Sequence, residues 1–284
     1  MTAANRLILS IFPGVGLLDR AFEERGLCVV RGPDLLWGGD IRRFDPPEGV
    51  FWGVIGGPPC QDFSAARRAP PTDYGGAMLA EYCRVVERAK PTWWLLENVA
   101  RVPDVLICPY IRQRFELDQG WFAPVSRLRH FQYGFRLRPE DPAWHAYLDP
   151  PRGQLRPDCV PAALACDDRP WPVVRQLQGL PDDYDLPGMT AAGKVHAVGN
   201  GVPLVLGRLL VSLILDAHHV TDQADRCDVS IAAAVTDQAK RCDRLMRCAC
   251  GCGRTLRGRQ RYASCACRKR AERTRRRDSP DSTV

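Results

Sequence analysis

Gly56-Gly57-Pro58-Pro59-Cys60-Gln61-Asp62-Phe63-Ser64 follows directly on the apolar run Val50-Phe51-Trp52-Gly53-Val54-Ile55. That run is rich in β-branched and aromatic residues and is bounded by glycine and proline, the pattern of a buried strand. Cys60 is therefore expected on a loop at the carboxyl end of a strand, where open α/β sheets bind their ligands. The two prolines fix φ and remove two backbone donors, which stiffens the loop. A solitary thiol after a tight turn is more often packing than chemistry. The meaning of Cys60 thus depends on what the rest of the chain brings near it.

Upstream, Arg6-Leu7-Ile8-Leu9-Ser10-Ile11-Phe12 reads as a first strand entering Pro13-Gly14-Val15-Gly16. Leu17 to Arg25 has apolar residues at helical spacing, with Gly26 as C-cap. Glycines at such a turn let a ligand approach the backbone closely. The third glycine of a dinucleotide fingerprint is absent, because Asp19 stands there. A second strand, Leu27 to Val30, leads to Gly32-Pro33-Asp34, and Gly38-Gly39-Asp40 follows. An acid past the second strand of a nucleotide-binding fold accepts hydrogen bonds from ribose hydroxyls, which makes Asp34 a candidate. Asp40 is a second candidate, suited to an adenine amino group, although Asp beside glycine also serves plain turns.

Downstream, Met78 to Ala89 has the 3.6-residue period of a helix and stops before Pro91. Thr92-Trp93-Trp94-Leu95-Leu96 is a strongly apolar strand, followed at once by Glu97-Asn98-Val99. An acid at a neighbouring strand end would face the same crevice as Cys60. Lys194–Leu215 reads as one long apolar helix completing the core.

These stretches, in this order, resemble the motifs of the cytosine-5 DNA methyltransferases. Phe12-Pro13-Gly14-Val15-Gly16, Gly57-Pro58-Pro59-Cys60-Gln61 with Phe63-Ser64, and Glu97-Asn98-Val99 carry the likeness. Val125-Ser126-Arg127-Leu128-Arg129 resembles that family's Q-x-R-x-R motif, and Gly199-Asn200-Gly201-Val202-Pro203 its GNSVP motif. Arg175 to Pro181 resembles the short helix before the last motif, and Val125 and Gly201 depart from the family's glutamine and serine. The resemblance, over roughly residues 6–216, implies an α/β chain with a Rossmann-like S-adenosylmethionine-dependent methyltransferase fold and a short target-recognition insertion, and beyond it the cysteine clusters and arginine run read as a small C-terminal cysteine-rich basic module. It implies Cys60 as nucleophile toward carbon 6 of a flipped cytosine and Glu97 as the acid at ring nitrogen 3. Arg127 and Arg129 would supply an electropositive field, with Arg127 the partner of the base. S-adenosylmethionine would lie over Phe12, Gly14 and Gly16, near Asp34, Asp40 and Pro58, with Asn200 buttressing the active-site loop. Double-stranded DNA is the expected partner of a monomer, and a cognate restriction endonuclease would be linked only functionally. An RNA cytosine-5 methyltransferase, or a non-catalytic nucleic-acid-binding homologue, is the alternative.

Length and charge agree with a catalytic domain plus an appendage. The chain has 284 residues, 45% of them hydrophobic, and a formal net charge of +7. No secretory signal pattern and no run of about 18 apolar residues is expected, which points to a cytoplasmic protein with reduced thiols. Residues 1–130 plus 175–218 form the expected catalytic domain. Residues 131–174, with Tyr133, Arg136, Arg138, Trp144, His145, Tyr147, Arg152 and Arg156, stand where the resembled family has its target-recognition region, and an irregular proline-rich loop is the other reading. Residues 219–243 repeat a Val-Thr-Asp-Gln-Ala unit, Val220 to Asp228 recurring as Val235 to Asp243, and read as a linker. In residues 244–284, Cys248, Cys252, Cys265 and Cys267 are the favoured ligands of a zinc ion, with Cys250 next, before the run Arg273 to Arg277. A reduced basic tail without metal is the other reading, and either would add salt-dependent affinity for a polyanion.

Overall fold

Apolar residues that alternate along each strand sort onto two faces, and that alternation builds three layers. The computed structural model describes residues 6–64, 70, 72–136 and 147–218. The repeat segment 219–243, the cysteines from Cys248 to Cys267, and Arg138, Trp144 and His145 lie outside the described residues. In chain order the elements begin β1 (Leu7–Ile11), α1 (Leu17–Glu23), β2 (Cys28–Arg31), β3 (Gly53–Gly56) and α2 (Tyr74–Ala89). They continue with β4 (Trp93–Asn98), β5 (Ile111–Asp118), β6 (Val125–Ser126), β7 (Leu128–Phe135) and β8 (Val160–Pro161). Three helices close the fold: α3 (Trp171–Leu177), α4 (Ala191–Gly199) and α5 (Leu204–Ala217).

The main sheet has the order β2-β1-β3-β4-β7-β5, with β6 and β8 paired separately. β1 is parallel to both β2 and β3, and β3 to β4, whereas β7 runs antiparallel to β4 and β5. Ile8, Ile55, Trp93, Leu95, Phe131 and Tyr133 face one layer, with α1, α3, α4 and α5. Leu7, Leu9, Ile11, Val54, Trp94 and Leu96 face the other, with α2. The chain leaves β1 for β2 on one side and returns to β3 on the other. The crevice between the carboxyl ends of β1 and β3 is thus the switch point at which such sheets bind ligands.

Four sequence expectations shift. The strand expected over Thr92 to Leu96 continues through Asn98, so Glu97 and Asn98 sit within β4 rather than after it. The single helix expected over Lys194–Leu215 is two, α4 and α5, separated at Asn200–Pro203. Pro203 lacks an N–H and disfavours helical backbone at Val202, which forces the break. The stretch 191–217 does reach the length and apolarity of a membrane span, with mean hydropathy 1.8, but 61% of that window is buried within the protein. Residues 131–135 belong to β7 in the middle of the sheet, and Tyr133 is a fully buried core residue rather than a recognition residue. A recognition region can begin only after that strand.

Candidate active site

The register of β4 against β7 sets the chemistry. Glu97 pairs with Phe131, which leaves Arg129 as its diagonal neighbour on the same face. Arg129 Nε lies 2.9 Å from Glu97 Oε1, and both side chains are mostly buried. Gly57 passes so close to this acid that a Cβ there would stand 2.9 Å from Glu97 Oε2, which explains the glycine. Next to it, Asn98 donates from Nδ2 to the Pro58 carbonyl at 3.0 Å, and its Oδ1 accepts from Val99 N. The strand that carries the acid therefore also braces the loop that carries Cys60.

A cavity of about 690 Å³ joins these groups to the glycine turn. It is lined by Phe12, Gly14, Asp34, Asp40, Pro58, Cys60, Glu97, Arg129 and Asn200, among others. Gly16 and Arg127 do not line it. Gly14 and Gly16 have positive φ values of 55° and 75°, and a Cβ on Gly14 would meet only open space. Phe12 also adopts a positive φ of 56°, costly for a side-chain-bearing residue and of the kind retained at binding sites. Ser10, Asp19 and Arg31 lock the turn from below: Ser10 Oγ donates to Asp19 Oδ1 at 2.5 Å and Arg31 Nε to Asp19 Oδ2 at 2.9 Å.

The open space above the Gly14 turn, and the two acids at its far side, fit an adenosine-bearing cofactor. Both acids already hold backbone groups: Asp34 accepts from Gly14 N and Leu36 N, and Asp40 from Arg42 N and its guanidinium. A carboxylate has further lone pairs, so each retains acceptor capacity toward the cavity.

Residues 38–104 match the family model described as C-5 cytosine-specific DNA methylase. The chain is similar to that family over this stretch, about a quarter of its 284 residues. Type II methyltransferase M.NgoPII of Neisseria gonorrhoeae is 33% identical over a match covering 33% of this chain and 33% of that protein. Type II methyltransferase M.AquIA of a Picosynechococcus strain is 49% identical over 34% of this chain and 49% of that protein. The chain thus spans a third to about a half of the curated relatives' length that it matches. Among solved structures, a Spodoptera frugiperda DNMT2 mutant superposes with TM-score 0.53 at 15% identity, covering 74% of this chain and 100% of that one. The S. pombe Dnmt2 methyltransferase gives 0.52 at 15% identity over 76% and 100%. At such identity these likenesses speak for the fold, which is the Rossmann-like methyltransferase fold.

Within this cavity, electrostatics departs from the sequence expectation at two places. The Cys60 thiol is pushed above its ordinary value, first by burial and then by Glu97, with Arg129 and Arg127 only partly opposing. The expected electropositive setting does not prevail in the free protein. Burial likewise raises the Glu97 carboxyl, against the pull of Arg129 and Arg127. A carboxyl raised in this way holds its proton longer, the property a donor to a ring nitrogen needs.

The two arginines also divide their work differently from expectation. Arg127 is 3% exposed and donates to the carbonyls of Ala163, Gly199 and Gly201. Two of those carbonyls lie at the α4–α5 break, so Arg127 fastens the closing motif, while Arg129 faces the cavity. Asn200, expected to buttress the Cys60 loop, instead lines the cavity, 3.4 Å through Nδ2 from His196 Nε2. The buttress is Asn98. Sequence reading placed Asn98 in the crevice without this role, and its only signal was the amide beside Glu97. Among the described residues no cluster of His, Cys, Asp and Glu is arranged for a metal ion. The cysteines expected to hold zinc lie outside them.

Proposed function

We propose that this chain is a DNA cytosine-5 methyltransferase. The observation that carries the reading is the placement of Cys60 and Glu97 in one cavity continuous with the Gly14 turn. Cytosine carbon 5 is a poor nucleophile, and a sulfur bonded at carbon 6 makes it reactive. Cys60 Sγ forms that bond once its proton has left. Glu97 gives a proton or a strong hydrogen bond to ring nitrogen 3, and Arg129 holds the carboxyl in place. S-adenosylmethionine, held by Phe12, Gly14, Asp34 and Asp40, supplies the methyl group. Loss of the carbon 5 proton then breaks the carbon–sulfur bond and returns Cys60 to its free state. The target base must leave the duplex stack to reach this pocket, at a cost of a few kcal/mol.

The proposed partner is double-stranded DNA in a bacterial or bacteriophage setting, with the enzyme acting as a cytoplasmic monomer in restriction–modification. Its relatives bear the name Type II methyltransferase. Arg152 and Arg156 are candidates to meet DNA, although Arg156 also pairs with Asp158. Zinc on Cys248, Cys252, Cys265 and Cys267 remains part of the proposal on spacing alone. Metal analysis of the full chain and of a chain ending at residue 243 tests it, and zinc retained by the shorter chain overturns it.

The test of function is bisulfite sequencing of DNA from cells expressing the chain, with Cys60→Ser alongside. Methylated cytosines in one sequence context, absent with Cys60→Ser, are expected. Transfer to tRNA but not to duplex DNA would favour the RNA reading, and turnover by Cys60→Ser would overturn the mechanism.

A further inference from the structure

α2 has no cap of its own. Asp73, just before it, adopts a left-handed φ of 59° and makes no side-chain cap. The first N–H groups of this 16-residue helix therefore need an acceptor from elsewhere. Asp62 provides it: Oδ2 accepts from Gly75 N at 2.7 Å. Its Oδ1 accepts from Thr72 N at 3.0 Å and from Thr72 Oγ1 at 3.1 Å. A carboxylate there also complements the positive end of the helix dipole. Gly75 admits the approach, since a Cβ would stand 3.1 Å from Asp62 Cβ and 3.2 Å from Phe63 Cε2.

Asp62 lies two residues beyond Cys60 and lines the same cavity. The turn between them is closed by Phe63 N donating to the Cys60 carbonyl at 2.9 Å. Before Cys60, Asn98 holds the Pro58 carbonyl from β4. After it, Asp62 holds the N-terminus of α2. The segment carrying the sulfur is thus pinned on both sides, to two different elements of the sheet-and-helix frame.

We infer that Asp62 is a positioning residue, which ties the Cys60 turn to the start of α2 and so fixes the sulfur relative to Glu97. The inference rests on the methyl-transfer reading for its consequence, but the tie itself can be measured without DNA. Asp62→Ala removes both acceptors, whereas Asp62→Asn keeps one oxygen suited to capping Gly75 N and loses the charge together with the second acceptor, which met Thr72. In the full chain, Asp62→Ala is expected to lower kcat about tenfold or more, because small misplacements of a reacting group are costly. Its cofactor Kd should stay within about twofold of the parent's, as the glycine turn is untouched. Asp62→Asn should keep most of kcat.

Two DNA-free readouts accompany these: the iodoacetamide alkylation rate of Cys60, followed by peptide mass spectrometry, and amide hydrogen exchange at Gly75. Both should change in Asp62→Ala and stay near the parent's in Asp62→Asn. Parent-like values for Asp62→Ala would overturn the inference. If Asp62→Ala does not fold, Asp62→Glu decides, since its added methylene shifts both oxygens from Gly75 N: faster exchange at Gly75 supports the tie, and unchanged exchange overturns it. If the parent methylates no DNA, the proposed function fails while alkylation and exchange still decide the role of Asp62.

Discussion

Arg129 meets Glu97 with Nε 2.9 Å from Oε1, a diagonal contact that exists because Phe131 stands opposite Glu97 in the antiparallel pair. The guanidinium steadies the acid without overcoming its burial, which still raises the carboxyl. Glu97→Gln keeps a group of the same shape beside Arg129 but cannot give up a proton. Methyl transfer should fall by about 10²- to 10⁴-fold, with cofactor binding unchanged, measured by single-turnover transfer and by calorimetry.

The same two groups set the pH profile. The proposed transfer would need Glu97 protonated and Cys60 as thiolate, and burial raises both above their ordinary values. The rate should climb with pH until Glu97 begins to lose its proton, level off, and decline only above the Cys60 value. Both bends therefore lie alkaline of ordinary glutamate and cysteine. In Glu97→Gln the residual rate should climb without the first bend, which kcat/KM across pH will show.

Arg127 and Arg129 should separate stability from activity. Arg127→Met leaves the carbonyls of Ala163, Gly199 and Gly201 without their donor. With each unmet buried group costing about 1–3 kcal/mol, urea unfolding should show a loss of roughly 3 kcal/mol or more. Arg129→Met should lower transfer far more than it lowers the unfolding midpoint.

His130 predicts an acid-sensitive fold. Its ring is fully buried, neither ring nitrogen has a hydrogen-bond partner, and it lies beside Asn98 across the strands. Burial first, and then Arg114, pull its pKa down to about 4 from 6.5. Because the folded value is the lower one, the folded state resists a proton that the unfolded chain takes up. Stability is therefore full above the unfolded value and lost as pH falls from there toward 4, by as much as about 3 kcal/mol. Unfolding at pH 7, 5.5 and 4.5 should show this loss in the parent, and a smaller one in His130→Phe.

The residues proposed to do chemistry were legible because each stands in a short local pattern. Cys60 follows a buried strand and two prolines, Glu97 ends an apolar run, and the Gly14 turn separates a strand from a helix. Periodicity located β1 to β4 and the helices α1 and α2 to within about four residues, since burial on alternating faces demands it, but gave no strand over β5. What periodicity could not see was the interruption of an apolar run by Pro203, or the strand hidden in residues 131–135, whose mixed composition resembled a loop.

Through local spacing, the sequence by itself determined which residue types could act, in an order that resembles the cytosine-5 methylases. Only the tertiary structure decided which arginine meets the acid, which amide braces the Cys60 loop and whether the thiol sits in a positive field. Strand register put Arg129, not Arg127, beside Glu97, and turned Arg127 toward the carbonyls freed at the α4–α5 break. The remaining decision came from burial, a property of the assembled layers: it raised Cys60 and Glu97 together, where the resemblance implied an electropositive field from Arg127 and Arg129 around the thiol.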